Sequence, residues 1–156
     1  MDFNGDHVGN VHREQTKNEY MQKLMPLFAY IPYFREKEGA KTRSFYDGQK
    51  IDSVPVPVYD GTVLSFVKEA QKTGLIDRNY IYAYQKIKAN GPKDERLFLT
   101  DATFLDLDII ISIIAKYVLG GMTKGVMWSD AVEEGVWLHC LLKLKELLEV
   151  YDHPLA

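Results

Sequence analysis

The sequence predicts a mainly α-helical fold: a single-domain bundle of five to seven helices, with at most a small β-hairpin or extended segment near residues 43–58. Three observations carry this expectation. Apolar residues recur at helical spacing in one segment after another, and glycines and prolines punctuate them. Two stretches are too apolar to face water, Asp108-Ile109-Ile110-Ile111-Ser112-Ile113-Ile114-Ala115 and Val136-Trp137-Leu138-His139-Cys140-Leu141-Leu142. The chain has 156 residues. A domain of that size buries roughly 70% of the surface its unfolded form exposes, so neither disulfide nor metal is needed to stabilise it.

Residues 1–15 are polar, glycine-spotted and without periodicity, and read as a flexible lead before one domain over 16–156. Thr16-Lys17-Asn18-Glu19 has the pattern of a capping box, in which the threonine oxygen accepts from a free amide and Glu19 reaches back. Tyr20, Leu24, Leu27, Phe28 and Ile31 follow at helical spacing. Pro26 lacks an amide and Pro32 biases Ile31 away from helix, which predicts a kink and then a stop near Tyr30. Asp47-Gly48 is a hairpin-type turn signal between Phe45-Tyr46 and Ile51, and Val54-Pro55-Val56-Pro57-Val58 must run extended.

Asp60 can cap the next helix, whose Val63, Leu64, Val67 and Ala70 make one apolar stripe opposite Lys68, Glu69 and Lys72; Gly74 supplies a left-handed stop. Residues 78–89 fit two readings. Tyr80, Tyr82 and Tyr84 alternate as in a strand, whereas Tyr80, Tyr84 and Ile87 fit a helix, which the Asp77 cap and the Asn90-Gly91 stop favour. Pro92 suits a first helical position and predicts a short turn or helix from Lys93 to Leu99. Thr103-Phe104-Leu105-Asp106 caps a helix running to about Val118, in which Asp108, Ser112 and Lys116 form a narrow wet stripe. Gly120 and Gly121 end it, and a shorter helix covers 127–134. Gly135 permits a turn into a last helix from Val136 to about Val150, with His139, Lys143, Glu146 and Glu149 outside.

Composition narrows the function classes. A net charge of -3 gives no global positive field for nucleic acid or anionic lipid. Stacking of bases on the many tyrosines would also want interleaved basic residues, so nucleic acid is disfavoured as a partner. No apolar run reaches the roughly 20 residues of a membrane span, and the amino terminus lacks signal-peptide regions, so the expected setting is cytoplasmic, without a membrane partner. Cys140 lies among leucines and reads as a small buried hydrophobe; His139 points about 100 degrees away on a helix, so the two do not form a nucleophile and base. Ser129 lacks a nucleophile elbow and reads as a cap or helix-start residue. Asp106 and Asp108 fall on different faces, and Asp130, Glu133, Glu134, Asp152 and His153 follow no ligand spacing, so neither metal nor cofactor is implied.

The corner Gly120-Gly121-Met122-Thr123-Lys124-Gly125, leading to Trp128, is where chemistry is best sought. Bare amides beside a lysine at a helix start attract anions, which makes Gly120, Gly121, Thr123, Lys124, Gly125 and Trp128 candidate ligand-binding residues. Against this, the spacing is not that of a P-loop and the corner follows a helix rather than a strand, so a purely structural corner is the competing reading. Two functions follow. The first is a noncatalytic interaction or regulatory protein using the corner and the Tyr30–Tyr59 segment as contact surfaces. The alternative is a binding protein or enzyme for a phosphate-containing or nucleic-acid ligand at Gly120–Gly125. The narrow wet stripes of two apolar helices further predict a homodimer that covers them.

Tyr59-Asp60 with Leu64 and Phe66-Val67, then Asp77-Arg78-Asn79-Tyr80, then Lys116-Tyr117-Val118-Leu119-Gly120-Gly121-Met122-Thr123-Lys124-Gly125 and Gly135-Val136-Trp137-Leu138 stand in a fixed order. In that order, over about residues 27–150, the chain resembles a family of small bacterial proteins of clostridia and related Firmicutes, a domain of unknown function. More distant members place a basic and aromatic signature before the glycine matching Gly125, where this chain has Gly120, Gly121 and Met122 with Lys124. The resemblance implies a fold and a bacterial cytoplasmic setting, and carries over no catalytic residue.

Overall fold

The computed structural model of the protein describes residues 3–39, 43–45, 57–59 and 61–150. Within them the elements run α1 (Phe3–Phe28), α2 (Ile31–Lys37), β1 (Arg43–Phe45), β2 (Pro57–Tyr59), α3 (Gly61–Lys72), α4 (Tyr80–Tyr84), α5 (Pro92–Asp101), α6 (Leu107–Gly120), α7 (Val126–Glu133) and α8 (Val136–Leu147). The mainly helical class is as expected. The helix count reaches eight among the described residues because the break after Phe28 separates α2 from α1.

Two corrections concern the first helices. α1 starts at Phe3, so helical backbone runs through most of the 1–15 segment expected as a lead, and Thr16 lies inside the helix instead of capping it. Gly5 and Gly9 weaken a helix by only about 1 kcal/mol each, and partners distant in sequence hold the segment. The Arg13 guanidinium lies 4.2 Å from the centre of the Phe104 ring, and the Lys17 ammonium lies 2.6 Å from the Glu149 carboxylate. Pro26 sits within the end of α1. Pro32, expected only as a terminator, opens α2, where its missing amide has no helical partner to lose.

β1 and β2 pair antiparallel with Arg43 opposite Tyr59, Ser44 opposite Val58 and Phe45 opposite Pro57. Asp47-Gly48, Val54-Pro55-Val56, the Asp60 cap and Asp152-His153 lie outside the described residues. In α3 the buried face is Val63, Phe66, Val67 and Ala70, spaced i, i+3, i+4 and i+7. Leu64, expected in that stripe, falls on the water side, and Phe66 takes its place in the core.

Of the two readings of 78–89 the helical one holds, over Tyr80–Tyr84, with α4 continuing into a 3₁₀ turn over Gln85–Ile87. The Asp77 carboxylate accepts from the Asn79 amide at 2.7 Å, an Asx turn that starts the segment. Gly91 and Pro92 then open α5 as expected, and Asp106 accepts from the Thr103 amide at 2.8 Å at the entry to a 3₁₀ turn, Phe104–Asp106, that leads into α6.

α6 and α8 form the centre. Trp137 of α8 is wholly buried, with its ring centre 4.7 Å from that of Phe66 and 5.7 Å from that of Phe34, and its indole N–H directed at the Ile114 carbonyl. α8 packs against α2, α5, α6 and α7, and α6 also packs against α4. The cover that the narrow stripes assigned to a second copy therefore comes from helices of the same chain. The stripe itself is altered: Asp108 is exposed, but Ser112 is buried and donates to the Ile109 carbonyl, and Lys116 is engaged by a buried acid. Among the described residues no helix is long and apolar enough to cross a membrane.

Candidate functional site

The glycine corner closes on itself. The amides of Gly121, Met122, Thr123 and Lys124 donate to the carbonyls of Tyr117, Leu119, Gly120 and Gly120 respectively, at 2.9 to 3.2 Å. Four successive amides are thus spent on continuing the turns of α6, and the outward-facing cradle expected for an anion does not form from them. The glycines serve close packing instead. A Cβ on Gly120 would lie 2.6 Å from the Met127 thioether, and one on Gly121 would lie 2.0 Å from the Trp128 indole. That indole donates to the Val118 carbonyl at 3.1 Å, and the Gly125 carbonyl accepts from the Trp128 amide at 3.1 Å. Thr123 turns its hydroxyl to the Gly120 carbonyl, and Lys124 is exposed. Gly120, Gly121, Thr123, Gly125 and Trp128 are brought together as a packing unit, with Lys124 exposed beside it.

Other candidate residues are likewise absorbed by the fold. Cys140 is fully buried, and burial pushes its thiol well above the usual range, as does the nearby Glu95 charge. Ser129 is not a cap: it lies within α7, buried, donating to the Val126 carbonyl at 2.9 Å. Among the described residues no three His, Cys, Asp or Glu side chains gather as metal ligands would.

A polar cluster that sequence reasoning missed lies under α5. Glu95 is 0% exposed. Its carboxylate accepts from the Tyr84 hydroxyl at 2.5 Å, the Tyr117 hydroxyl at 2.5 Å and the Lys116 ammonium at 2.8 Å. The same ammonium donates to the Tyr84 oxygen at 2.8 Å and sits 4.7 Å and 4.9 Å from the centres of the Tyr84 and Tyr117 rings. Burial first, and then the hydrogen bond to Glu95, raise both tyrosine hydroxyls above their ordinary value. One carboxylate with three donors from two other helices is a clamp holding α5 onto α4 and α6.

The outer side of α5 is open. Leu97, 69% exposed, lines depressions on both of its flanks. One, of about 640 Å³, runs toward the 3₁₀ turn and the start of α6, with Ile87, Phe98 and Ile109 among its walls and Lys86, Lys88, Asp94 and Asp106 at its rim. The other, of about 570 Å³, runs toward α8 past Lys93, Arg96, Thr100, Glu134 and His139. Leu105, next to Asp106, is also exposed. Across α5 and α8 the Arg96 guanidinium donates to the Glu134 carbonyl at 3.3 Å and approaches the His139 Nε2 at 3.1 Å, and that ring nitrogen also lies 3.1 Å from the Glu38 carboxylate. Glu38 is seated there beside Gly135, whose φ of +70° makes the turn into α8 and whose missing Cβ leaves room for the carboxylate. The hint of this face in sequence is a helix, α5, in which Leu97 directly follows the charged run Lys93-Asp94-Glu95-Arg96.

No protein-family model, curated protein or solved structure matches this chain.

Proposed function

We propose that the chain is a noncatalytic bacterial interaction protein that acts in the cytoplasm as a homodimer, with the outer face of α5 as the surface on which two copies meet. The observation that carries this reading is Leu97, a large apolar side chain 69% exposed, standing as a ridge between two grooves. A ridge beside a groove is self-complementary about a two-fold axis, since each Leu97 enters the partner's groove at Ile87, Phe98 and Ile109. Charge is matched in the same way. The groove rim carries Lys86 and Lys88 with Asp94 and Asp106, so each copy offers both signs to the other. The titratable groups buried elsewhere, Glu95 and Cys140, are used or silenced by the fold. The resemblance to small bacterial proteins supports the setting.

Light scattering of the purified chain at micromolar concentrations tests the proposal. The expected mass is twice the 17.9 kDa of one chain. Leu97→Asp places a charge on the ridge and is expected to return a monomer, with folding stability changed by no more than about 0.5 kcal/mol because the side chain makes little internal contact. A wild-type mass that stays at one chain across concentration overturns the homodimer.

A further inference from the structure

Between α5 and α8, adjoining the depression on that flank of Leu97 and sharing Arg96, Thr100 and His139 with it, a groove of about 200 Å³ is also lined by Lys143 and Glu146. Its cations are poorly matched. The Lys143 side chain is only 14% exposed, yet its ammonium makes two long contacts, 3.5 Å to the Thr100 carbonyl and 3.4 Å to the Glu146 carboxylate. Charge-assisted N–H···O bonds run about 2.7 to 2.9 Å, so a mostly covered cation is held at less than full strength. Arg96, from the facing helix, contacts a main-chain carbonyl and an imidazole and meets no carboxylate among the described residues. Glu146, the carboxylate in this groove, has a side chain 69% exposed, and Glu38 meets the same His139 nitrogen that Arg96 contacts and does not itself line the groove. Among the residues that line the groove, Arg96 on α5 and Lys143 on α8 thus face one solvated acid.

We propose that this groove is a binding site for a phosphate group, with the Arg96 guanidinium and the Lys143 ammonium donating to its oxygens from opposite sides. A tetrahedral phosphate offers oxygens toward both walls and carries about -1.5 to -2 charges at neutral pH, against one charge and one plane for a carboxylate. Space is sufficient: a water needs as little as about 10 to 15 Å³ by the same measure, and the groove has about 200 Å³. Leu99 and Leu142 complete the lining, so the group that bears the phosphate packs on aliphatic side chains. The site is separate from the glycine corner, whose amides are spent.

Inorganic phosphate, titrated into isotopically labelled protein at constant ionic strength and followed by amide chemical shifts, tests the site; acetate is the comparison. The expected result is saturable shifts in residues 96–100 and 139–146 with phosphate and weaker ones with acetate. Loss of one charged hydrogen bond predicts that Arg96→Gln and Lys143→Met each weaken binding by about tenfold or more. Glu146→Gln removes the competing carboxylate and is expected to tighten binding by roughly twofold to fivefold, at the scale of an exposed ion pair. Lys124→Ala, at the corner, leaves binding unchanged. Arg96 is exposed, so Arg96→Gln remains a fair reading where Lys143→Met lowers stability. Non-saturating shifts, equal response to acetate, or full retention of binding in Arg96→Gln overturns the proposal.

Discussion

At residue 95 the chain puts a carboxylate where no water reaches it, and at residue 94 it puts another at the helix start where water does. Both are acids in the first turn of α5 and are indistinguishable by local pattern. Asp94 does what that position suggests and accepts from the Asn90 amide at 2.9 Å. Glu95 points inward to three donors, and nothing near it in sequence signals this, because Lys116 and Tyr117 come from α6, about twenty positions away. For the same reason Lys116 reads as part of a wet stripe until Glu95 is seen beneath it. Removing the acid leaves an uncompensated ammonium and two tyrosine hydroxyls without their acceptor. Glu95→Ala is therefore expected to cost about 3 to 5 kcal/mol, the scale for breaking a buried pair. Glu95→Gln keeps one acceptor oxygen and should cost less, about 1 to 3 kcal/mol. Urea denaturation with an unchanged slope measures both; a Glu95→Ala protein within 1 kcal/mol of wild type would show that the clamp holds nothing.

The elements whose ends depend on backbone chemistry were legible in sequence: Gly74 and Gly135 adopt positive φ as their stops require, and Pro92 begins α5. The start of α1 was not, because its fixed points are Phe104 and Glu149, far along the chain. That dependence makes the Lys17–Glu149 contact testable at the scale of the helix. The Lys17 hydrogen bond, and then its charge, hold the Glu149 carboxyl below its ordinary value of 4.5. A folded value below the unfolded one means that the contact stabilises above the unfolded value and is lost as pH falls through the lower folded value. Amide protection in α1 from Thr16 to Phe28 is thus expected to fall as pH drops below the ordinary value of 4.5 and through the lowered folded one. Glu149→Gln should show the lowered protection already at neutral pH and no further loss from this source in acid. Parallel acid loss in both proteins would assign the effect to other groups. High salt should weaken the wild-type protection, since Glu149 is solvent-exposed.

The helical class of the whole molecule was readable because a 3.6-residue apolar period is a local signal. How α6 and α8 are covered was not, since it depends on where α2, α4, α5 and α7 dock. The same limit divides the sites. The glycines at 120 and 121 could be located as a corner, yet only the hydrogen bonds through them show that their amides are occupied. The α5–α8 groove had no sequence signature, because Arg96 and His139 are 43 positions apart, as are Thr100 and Lys143. One core joins these parts, running from Leu24 in α1 to Leu148 beyond α8, with Trp137 at its middle. A single connected core in a chain of this size predicts one cooperative transition. With Trp128→Phe leaving Trp137 as the sole indole, its fluorescence reports α8 while far-ultraviolet circular dichroism reports all helices, and the two urea midpoints are expected to coincide. Trp137→Ala, which removes that probe, should lower the stability read by circular dichroism by about 3 to 5 kcal/mol, the scale for losing a large core side chain. Separate midpoints would mean that the α6–α8 centre survives the loss of its outer helices, which its dependence on them for cover forbids.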